Sequence, residues 1–422
     1  MTDRTRIVVV GGGFAGLESA FLVRAKLGDR AAITLVSDRD EFLFKPNTIY
    51  IPFGGKEESL LIPLAKATAK RGIRFLKGAF ESLDKARRVV RAAGEDIPYD
   101  YLVLATGAGM RPDEVPGLQE HAETIWTPAE MSSLGEKLRG LVAASTDGHR
   151  HKILFLVPPN NKCAGPLYEI VFMVETWLRR QGVRERFDLI WTSYEPSYIA
   201  AFGPKLHDVV VDEFAARGVE GHTGWRVETV GARAVRYDNG ERREYDLLVS
   251  FPPYVAAVDY QSFGLQADER GFLACEPGSR RVKGEDRIYA PGDSGDFPVK
   301  QAFLAFLQAA AVAEDIAARV EARAPEFEFD PVSMCVMEQF DKATFAQVPL
   351  RVTGDPARPV EVRPDADGAY KVGVSPVWRL GKKMLGLYLP LRFRAGRPFH
   401  AGAPWKAMEV GLKGMAAALA RK

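Results

Sequence analysis

The chain has 422 residues, 46% of them hydrophobic, and carries a net charge of +2 at pH 7. This length and hydrophobic content can supply the cores of two or three domains, and the nearly balanced charge gives no case for binding nucleic acid. We find no uninterrupted apolar stretch of the ~18 residues that would span a bilayer. The first strand begins too early to leave room for a signal peptide, so we expect a cytoplasmic location.

The three cysteines are Cys163, Cys275 and Cys335. They are too few and too scattered to form a structural disulfide framework. No CxxC pair or His/Cys spacing is typical of a metal site, so we predict none. Cys275 lies in an apolar segment, and we interpret it as a small core residue.

A glycine-rich turn near the start is the first motif. Residues 7–10 form a short apolar run typical of a buried strand. Gly11, Gly13 and Gly16 follow, and residues 17–26 have the composition of a helix. In this motif the first glycine makes the tight turn, the second lets the backbone approach a pyrophosphate, and the third lets the helix pack closely. The pattern predicts a dinucleotide whose pyrophosphate lies at the helix N-terminus.

The second strand and the loop after it add further candidate binding residues. Residues 32–38 end at Ser37 and Asp38, either of which could contact the ribose. The apolar loop that follows carries Lys45 and Pro46. We expect this loop to line the cofactor; the alternative is an ordinary crossover loop.

Two later motifs identify the dinucleotide. An apolar strand runs into Thr106 and Gly107, and a later strand runs into Gly292, Asp293 and an apolar helix at residues 302–316. Together with the glycine-rich turn, these motifs resemble the two-dinucleotide-domain flavoprotein disulfide reductase superfamily. The resemblance implies FAD as the cofactor, with Asp293 holding its ribityl and phosphate portions.

A second α/β unit starts with the strand at residues 152–157. A nicotinamide site would require a second glycine motif, but residues 158–166 contain prolines and lack the glycine spacing. We therefore predict a nicotinamide-binding fold that has lost its nicotinamide site. Residues 246–250 return the chain to the first domain.

A cysteine occupies the turn where that glycine motif is missing. Cys163 precedes a helix that we predict to start at Pro166, a preferred first position. The positive helix end can lower a thiol pKa from ~8.5 to roughly 3.5–7.5. Glu169, six residues further on, is interpreted as a proton acceptor beside the thiol; the alternative is a charge that complements the helix N-terminus.

Lys300 lies at the start of a predicted helix, shortly after Asp293. A cation here could stabilise negative charge on a reduced flavin. The alternative is a solvated lysine at a helix start.

The chain as a whole resembles the sulfide:quinone oxidoreductase family. The features that carry the resemblance are the turn with Cys163, the following Tyr168-Glu169, Lys300 after the Gly-Asp motif, Cys335, and a basic amphipathic tail. The resemblance implies that Cys163 and Cys335 form a redox pair facing the flavin. Sulfide would attack the oxidised pair and leave a persulfide, and the Cys335 thiolate would pass two electrons to FAD, which reduces quinone on its other side.

Two departures from the family pattern bear on the subtype. Many members carry a third cysteine near residues 122–128, where this chain has none, so a thioether-linked flavin from this position is not expected. Many also carry a histidine in the loop matching residues 198–203, which has none here.

The C-terminal tail is basic and amphipathic. Glu409 is the single acid after Trp378. The basic residues of the tail are Arg379, Lys382, Lys383, Arg392, Arg394, Arg397, Lys406, Lys413, Arg421 and Lys422. Apolar residues recur at helical spacing in two segments: Leu380, Met384, Leu387 and Leu391, then Trp405, Met408, Leu412, Met415 and Leu419. Such helices are typical of peripheral attachment to a membrane surface; the alternative is packing on their own domain or in an oligomer contact.

We therefore predict an α/β protein with two Rossmann-like domains and a C-terminal amphipathic helical region. Residues 1–118 and 251–320 would form a discontinuous FAD domain, residues 119–250 the second Rossmann-like domain, and residues 321–422 the C-terminal domain. The predicted activity is sulfide oxidation with quinone reduction, by a monotopic enzyme on the cytoplasmic side of the membrane; a homo-oligomer is left open.

Three other functions remain open. A type II NADH dehydrogenase would share the fold and the electron acceptor, but the missing glycine motif counts against it. The flavoprotein subunit of a flavocytochrome c sulfide dehydrogenase is disfavoured by the absent signal peptide and by the basic tail. A non-catalytic, flavin-dependent sulfur-binding or redox-sensing protein is the third.

Overall fold

The computed structural model describes residues 4–145 and 148–420. The helices are α1 (Phe14–Leu27), α2 (Leu64–Ala69), α3 (Leu118–His121), α4 (Pro128–Ala144), α5 (Gly165–Arg180), α6 (Gly203–Arg217), α7 (Ala302–Val320), α8 (Pro376–Arg394) and α9 (Ala403–Leu419). The strands are β1 (Thr5–Val10), β2 (Ala31–Ser37), β3 (Glu41–Leu43), β4 (Leu61–Pro63), β5 (Arg74–Lys77), β6 (Phe80–Asp84), β7 (Val89–Ala92), β8 (Glu95–Pro98), β9 (Tyr101–Leu104), β10 (Ala108–Met110), β11 (Glu123–Thr124), β12 (His151–Val157), β13 (Phe187–Ser193), β14 (Val219–His222), β15 (Val227–Gly231), β16 (Ala234–Tyr237), β17 (Arg242–Glu244), β18 (Leu247–Ser250), β19 (Tyr254–Ala256), β20 (Ile288–Tyr289), β21 (Val332–Glu338), β22 (Ala343–Val352), β23 (Val360–Val362) and β24 (Lys371–Ser375).

The first domain is built on a parallel sheet in the order β20-β9-β1-β2-β5. Strand β1 lies in the middle, and its residues from Ile7 to Val10 are buried, as their β-branched run predicts. Strand β20 joins this sheet from far along the chain, so the domain is discontinuous. The carboxyl ends of β1, β9 and β20 meet at one edge, where ligands bind in open α/β sheets.

The second domain repeats this plan with a parallel sheet in the order β11-β18-β12-β13-β14. Strand β12 is central and fully buried from Ile153 to Val157. Helix α5 follows it directly and is buried along most of its length. The doubly wound pattern predicted for both domains is confirmed.

The C-terminal part is an antiparallel sheet covered by two helices. Strand β22 pairs with β21, β23 and β24. Helix α8 is anchored by Trp378, which is 0% exposed and stacks on Phe345 with ring centroids 4.0 Å apart. Cys335 lies in the middle of β21, opposite Ala346 of β22.

The two tail helices differ in what their apolar faces contact: the face of α9 is buried against the protein, and that of α8 is exposed to solvent. On α9, Trp405 and Leu412 are buried against the protein, so the apolar face predicted for the membrane is packed internally. On α8, a row of apolar side chains is 57–68% exposed: Leu380, Met384, Leu387 and Leu391. Arg421 and Lys422, counted among the basic tail residues, lie outside the described residues.

In the described ranges 4–145 and 148–420, we find no helix with both the length and the apolar character needed to cross a membrane.

Candidate functional site

The glycine-rich turn has the geometry that its motif predicts. Gly11 has a φ of 112°, and a Cβ on it would collide with the carbonyl oxygen of Ala105. A Cβ on Gly16 would collide with the carbonyl oxygen of Gly11, so helix and turn pack against each other without a gap. Around Gly13 the space is open for at least 4 Å. No side chain caps the N-terminus of α1 at this glycine, so its N–H groups face an accessible cradle suited to a pyrophosphate.

The other two motifs converge on the same cradle. Thr106 and Gly107 follow β9, whose continuation at Ala105 contacts the glycine turn. A Cβ on Gly292 would lie 2.9 Å from the Cβ of Ala15 in the first turn of α1. The next residue, Asp293, has no hydrogen-bond partner among the described side chains, and burial raises the pKa of its carboxyl. A buried carboxylate without a hydrogen-bond partner, beside a helix N-terminus without a side-chain cap, is suited to accept hydrogen bonds from the hydroxyl-rich chain of FAD.

Ser37 and Asp38 differ in how they face the cradle. Ser37 is buried, and its Oγ would lie 2.9 Å from a Cβ placed on Gly12, so it borders the turn directly. It also accepts the N–H of Arg39 at 3.2 Å. Asp38 is exposed at the strand end. Both therefore remain candidates for the ribose contact.

Lys45 begins a 3-10 helix that also contains Pro46, and its charge interacts with that of Asp293. Its ammonium stands over the ring of Trp126, with 2.9 Å between Nζ and the ring centroid. Burial lowers the pKa of Lys45 to about 7, and the Asp293 carboxylate opposes this. Trp126 lies in the segment 122–128, which contains no cysteine.

Lys300 is enclosed at the start of α7 and is 3% exposed. Its ammonium donates to the carbonyl oxygen of Gly295 and lies 3.7 Å from the ring centroid of Phe272. Burial lowers its pKa to about 8, with Asp293 acting in the opposite direction. The alternative of a solvated helix-start lysine is therefore wrong.

Cys163 lies in a braced turn between β12 and α5. Its N–H donates to Oδ1 of Asn161 at 3.0 Å, and the Asn161 amide donates in turn to the carbonyl oxygen of Phe251 at 2.7 Å. Helix α5 begins at Gly165, with Pro166 in its first turn as predicted. The thiol is therefore held by the chain crossing back toward the first domain.

Cys335 is brought to the same place by the start of α7. The N–H of Lys300 donates to the carbonyl oxygen of Lys162 at 3.2 Å, immediately before Cys163. The next side chain, Gln301, contacts the two residues before Cys335: its amide nitrogen donates to the carbonyl oxygen of Met334 at 3.2 Å, and its amide oxygen accepts the Ser333 hydroxyl at 2.9 Å.

The two thiols are half-buried, and they are free. They pack against one continuous core, and the charge of a Cys335 thiolate would raise the pKa of Cys163. Residues 300–301 thus anchor both cysteine segments, although the cysteines are far apart in the chain. By contrast, Cys275 is buried elsewhere with its thiol directed at the carbonyl oxygen of Leu273, as expected for a core residue.

The expected lowering of the Cys163 pKa is wrong. Burial raises it above its ordinary value, and the hydrogen bond from the Gly165 N–H only partly opposes this. Burial likewise raises the pKa of Cys335 to about 12, with Lys382 opposing. The free-energy cost of removing a thiolate from water is larger than the stabilisation that the helix N-terminus gives it.

Glu169 is in contact with the C-terminal helix. Its carboxylate is ion-paired with Lys382 of α8, and each side chain is 10% exposed. It also accepts the backbone N–H of Glu338, at the end of the strand that carries Cys335, at 2.7 Å. Burial raises the pKa of Glu169, and the Lys382 cation opposes this. The helix-terminus alternative does not account for a carboxylate paired across domains.

Lys382 is the functional candidate that sequence reasoning missed, because it was counted with the basic surface of the tail. It also donates to the carbonyl oxygen of Val336 at 2.9 Å, next to Cys335. Beside it, Arg379 and Tyr50 both donate to the Glu338 carboxylate at 2.7 Å. A buried polar network thus runs from α8 to the strand of Cys335.

Glu195, the acidic residue after β13, accepts hydrogen bonds from residues of its own loop. In dinucleotide domains an acid near this position accepts the 2′-OH of the adenosine ribose of NAD. Here the Glu195 carboxylate accepts the N–H of Ala200 at 3.2 Å and the hydroxyl of Ser193 at 3.4 Å. Glu195 thus already accepts two hydrogen bonds from its own loop, and the turn before α5 lacks the glycine spacing of a nicotinamide site.

Comparisons with known proteins agree with this fold. A family signature described as pyridine nucleotide-disulphide oxidoreductase matches residues 5–142. The sulfide-quinone reductase of Aquifex aeolicus is 30% identical over 255 residues, which are 59% of this chain and 57% of that protein. A type II NADH:quinone oxidoreductase of Mycobacterium tuberculosis is 26% identical over 316 residues, 69% of this chain and 66% of that protein. The matched parts thus span about two thirds or less of these relatives.

The solved structure of the Aquifex aeolicus sulfide:quinone oxidoreductase has the same fold. It superposes with a TM-score of 0.83 and 23% identity over 97% of this chain and 96% of that one. The two parallel sheets give the chain the fold of that flavoprotein, and the cradle fits FAD as the cofactor. Among flavoproteins of this fold, its resemblance to the sulfide:quinone oxidoreductase family, predicted from the motifs, is confirmed.

Proposed function

We propose that the chain oxidises sulfide and passes the electrons through FAD to a membrane quinone. The observation that carries this proposal is the shared anchor at residues 300–301, which ties the segments of Cys163 and Cys335 to the start of α7 beside Asp293. A dithiol held against the FAD cradle is what two-electron sulfur chemistry requires.

The balanced step begins from the oxidised pair. Hydrosulfide attacks the sulfur–sulfur bond; that bond breaks, one cysteine becomes a persulfide, and the other leaves as a thiolate carrying the electron pair. Bound FAD supplies a two-electron carrier between the cysteines and quinone. The hydrosulfide proton needs an acceptor, and Glu169 is suited to this because burial raises its pKa and makes its carboxylate more basic than an ordinary glutamate.

The network around Cys335 favours the thiolate in a buried site. Because burial raises both thiol pKa values, a cation is needed near the leaving sulfur. Lys382 opposes this rise at Cys335. We therefore assign Lys382 as a positioning residue that holds Glu169 and favours the anionic sulfur.

NADH oxidation is the competing function, since one relative is named a type II NADH:quinone oxidoreductase. The engaged Glu195 and the proline-containing turn disfavour it. We propose to titrate the anaerobic holoenzyme separately with sulfide and with NADH, following the visible absorbance of oxidised flavin. Bleaching by sulfide alone is expected; bleaching by NADH alone would contradict the proposal.

Cysteine variants test the site within the same assay. Cys163→Ser and Cys335→Ser should each abolish bleaching by sulfide, whereas Cys275→Ser, a matched buried cysteine, should leave it unchanged. Dithionite should still bleach all three proteins, which shows that FAD is retained. Wild-type turnover by the Cys163 variant would refute the assignment, and wild-type bleaching without quinone reduction would leave a sulfur-binding flavoprotein as the better description.

We propose that the outer face of α8 attaches the enzyme to the membrane surface. Its exposed row runs from Leu380 to Leu391 over three turns, with the exposed Lys383 beside it. Apolar side chains presented outward at one helix face, with basic neighbours, bind the headgroup boundary of anionic membranes.

The test uses co-sedimentation with vesicles that contain anionic lipid. Leu387→Glu should release the protein into the supernatant. The control is Val211→Glu, which changes another exposed apolar side chain, on α6, and should stay bound. Equal binding of both variants would overturn the attachment face. Truncation before Pro376 is less informative because it also removes the buried Trp378 and Lys382.

A further inference from the structure

Two histidines and an aspartate meet at an edge of the second sheet. His149 and His151 stand where the chain enters β12, and Asp246 directly precedes β18, its parallel neighbour. One possible ligand atom from each residue lies within 4.8 Å of the other two. These residues gather at the amino ends of the strands, whereas Cys163 follows the carboxyl end of β12. The cluster is therefore separate from the thiol site.

The distances within the cluster are too long for hydrogen bonds to the aspartate. Nε2 of His149 and Nδ1 of His151 each lie 3.8 Å from Oδ2 of Asp246. In a tetrahedral zinc site with bonds of about 2.0–2.1 Å, neighbouring ligand atoms stand about 3.3 Å apart. A small movement of the exposed His149 side chain would bring the three atoms to that spacing.

The fold orients two members of the cluster in advance. Oδ2 of Asp246 accepts the N–H of Lys152 at 2.8 Å, the kind of outer contact that fixes a metal ligand. His151 is 8% exposed, and its ring packs on Phe187 with centroids 5.5 Å apart. The Nε2 atom of His151 is enclosed with no hydrogen-bond partner among the described residues. Nδ1, on the opposite edge of the ring, is the nitrogen that faces Oδ2 of Asp246, at 3.8 Å. Packing on Phe187 thus orients the ligand edge of this imidazole before a cation binds.

The charges around the cluster do not repel a cation. Arg150, between the two histidines, donates from Nε to Asp188 at 3.0 Å on the neighbouring strand. Lys152 is paired with Glu244 at 3.3 Å. Both cations are therefore neutralised outside the cluster, and the Asp246 carboxylate remains directed at the histidines.

We infer that His149, His151 and Asp246 bind a divalent transition cation of the Zn²⁺ class, with solvent completing the coordination. Two imidazoles and one carboxylate suit zinc, whereas magnesium and calcium prefer oxygen ligands alone. The bound ion joins the chain before β12 to the start of β18, so its effect is on stability. The expectation of no metal site rested on local His/Cys spacing, which does not reveal an aspartate so far along the chain.

Equilibrium dialysis of the full-length flavoprotein against Zn²⁺ tests the inference. The variants are His149→Ala and Asp246→Asn, which retain the buried His151, and the control is the exposed His121→Ala. Wild type and control should bind one more equivalent of Zn²⁺ than the two cluster variants, or bind it about 10-fold or more tightly. Zn²⁺ should also raise the Tm of the first two proteins only. The cysteines are the same in all four proteins, so their metal binding cancels.

Equal zinc binding by all four proteins would overturn the inference, as would an equal loss in the His121 variant. Flavin content and unliganded Tm verify folding of each variant. Because the readout is bound metal, failure here is independent of any failure to oxidise sulfide.

Discussion

Replacing Lys382 by methionine tests the charge network beneath Cys335. Methionine keeps an unbranched apolar chain and removes the ammonium, so the change is mainly electrostatic. It leaves the Glu169 carboxylate buried without its cation, because both side chains are only 10% exposed. Breaking a buried ion pair in this way costs about 3–5 kcal/mol.

That free energy converts into a measurable shift in Tm. An unfolding entropy of about 2.1 cal/mol/K per residue gives roughly 0.9 kcal/mol/K for the 422-residue chain. We therefore expect Lys382→Met to lower the Tm by about 3–6 °C. The control is Lys383→Met, which removes the neighbouring exposed lysine of the same helix and should change the Tm by less than about 1 °C. Differential scanning calorimetry of the holoenzymes gives both values.

The pH dependence separates an electrostatic cause from lost packing. Burial raises the pKa of Glu169 in the folded protein, and loss of Lys382 raises it further. A raised carboxyl pKa contributes stability that is present below the unfolded value near 4.3 and is lost as pH rises through the folded value. The deficit of K382M relative to K383M should therefore grow from pH 5 to pH 8. Equal Tm values for the two variants, or a deficit independent of pH, would refute the reasoning.

Three further predictions concern other parts of the fold. Gly11→Ala should abolish FAD incorporation, because its Cβ would meet the Ala105 carbonyl oxygen, whereas Gly13→Ala should fold and show reduced flavin content after purification. Glu18 is buried, accepts two backbone N–H groups of the loop between α8 and α9, and has a pKa raised by burial to about 7. Its contribution is lost as pH rises through about 7, so Glu18→Gln should reduce the pH 5 to pH 8 change in unfolding free energy by up to about 3 kcal/mol. Trp378→Ala should destabilise by about 3–5 kcal/mol in chemical denaturation, since this ring is fully buried on Phe345.

Local patterns in the sequence predicted the cofactor domain well. The order of strand, glycine turn and helix near Gly11 depends on neighbouring residues, so spacing alone predicts its geometry. The expectation that Cys163 and Cys335 form a pair came from a family resemblance rather than from spacing, and it stays a prediction. What the structure adds is that both cysteine segments are hydrogen-bonded to residues 300–301.

The tail shows what periodicity leaves undetermined. The spacing of Leu380 and Leu387 and that of Trp405 and Leu412 indicate equally good amphipathic helices, yet one apolar face is exposed and the other buried. A helical period identifies a face, but tertiary packing decides what the face contacts. For the same reason Lys382 was assigned to a basic surface, although it contacts a carboxylate that is distant in the chain.

The expected thiol pKa failed for a related reason. A position before a helix can be identified from Pro166, and the sign of the helix field follows from it. Burial cannot be identified in this way, because Cys163 packs against a core whose residues are distant from it in the chain. The larger effect on the Cys163 pKa is therefore burial, which the local sequence does not reveal.

Residues 300–301 link the two segments that carry Cys163 and Cys335. Each of these segments is hydrogen-bonded to the same helix start, in addition to its contacts within its own part of the fold. A displacement of that helix start would move both cysteine segments together, because each segment is hydrogen-bonded to it. Access of a small molecule to either thiol would then depend on the surrounding side chains more than on the position of one segment relative to the other.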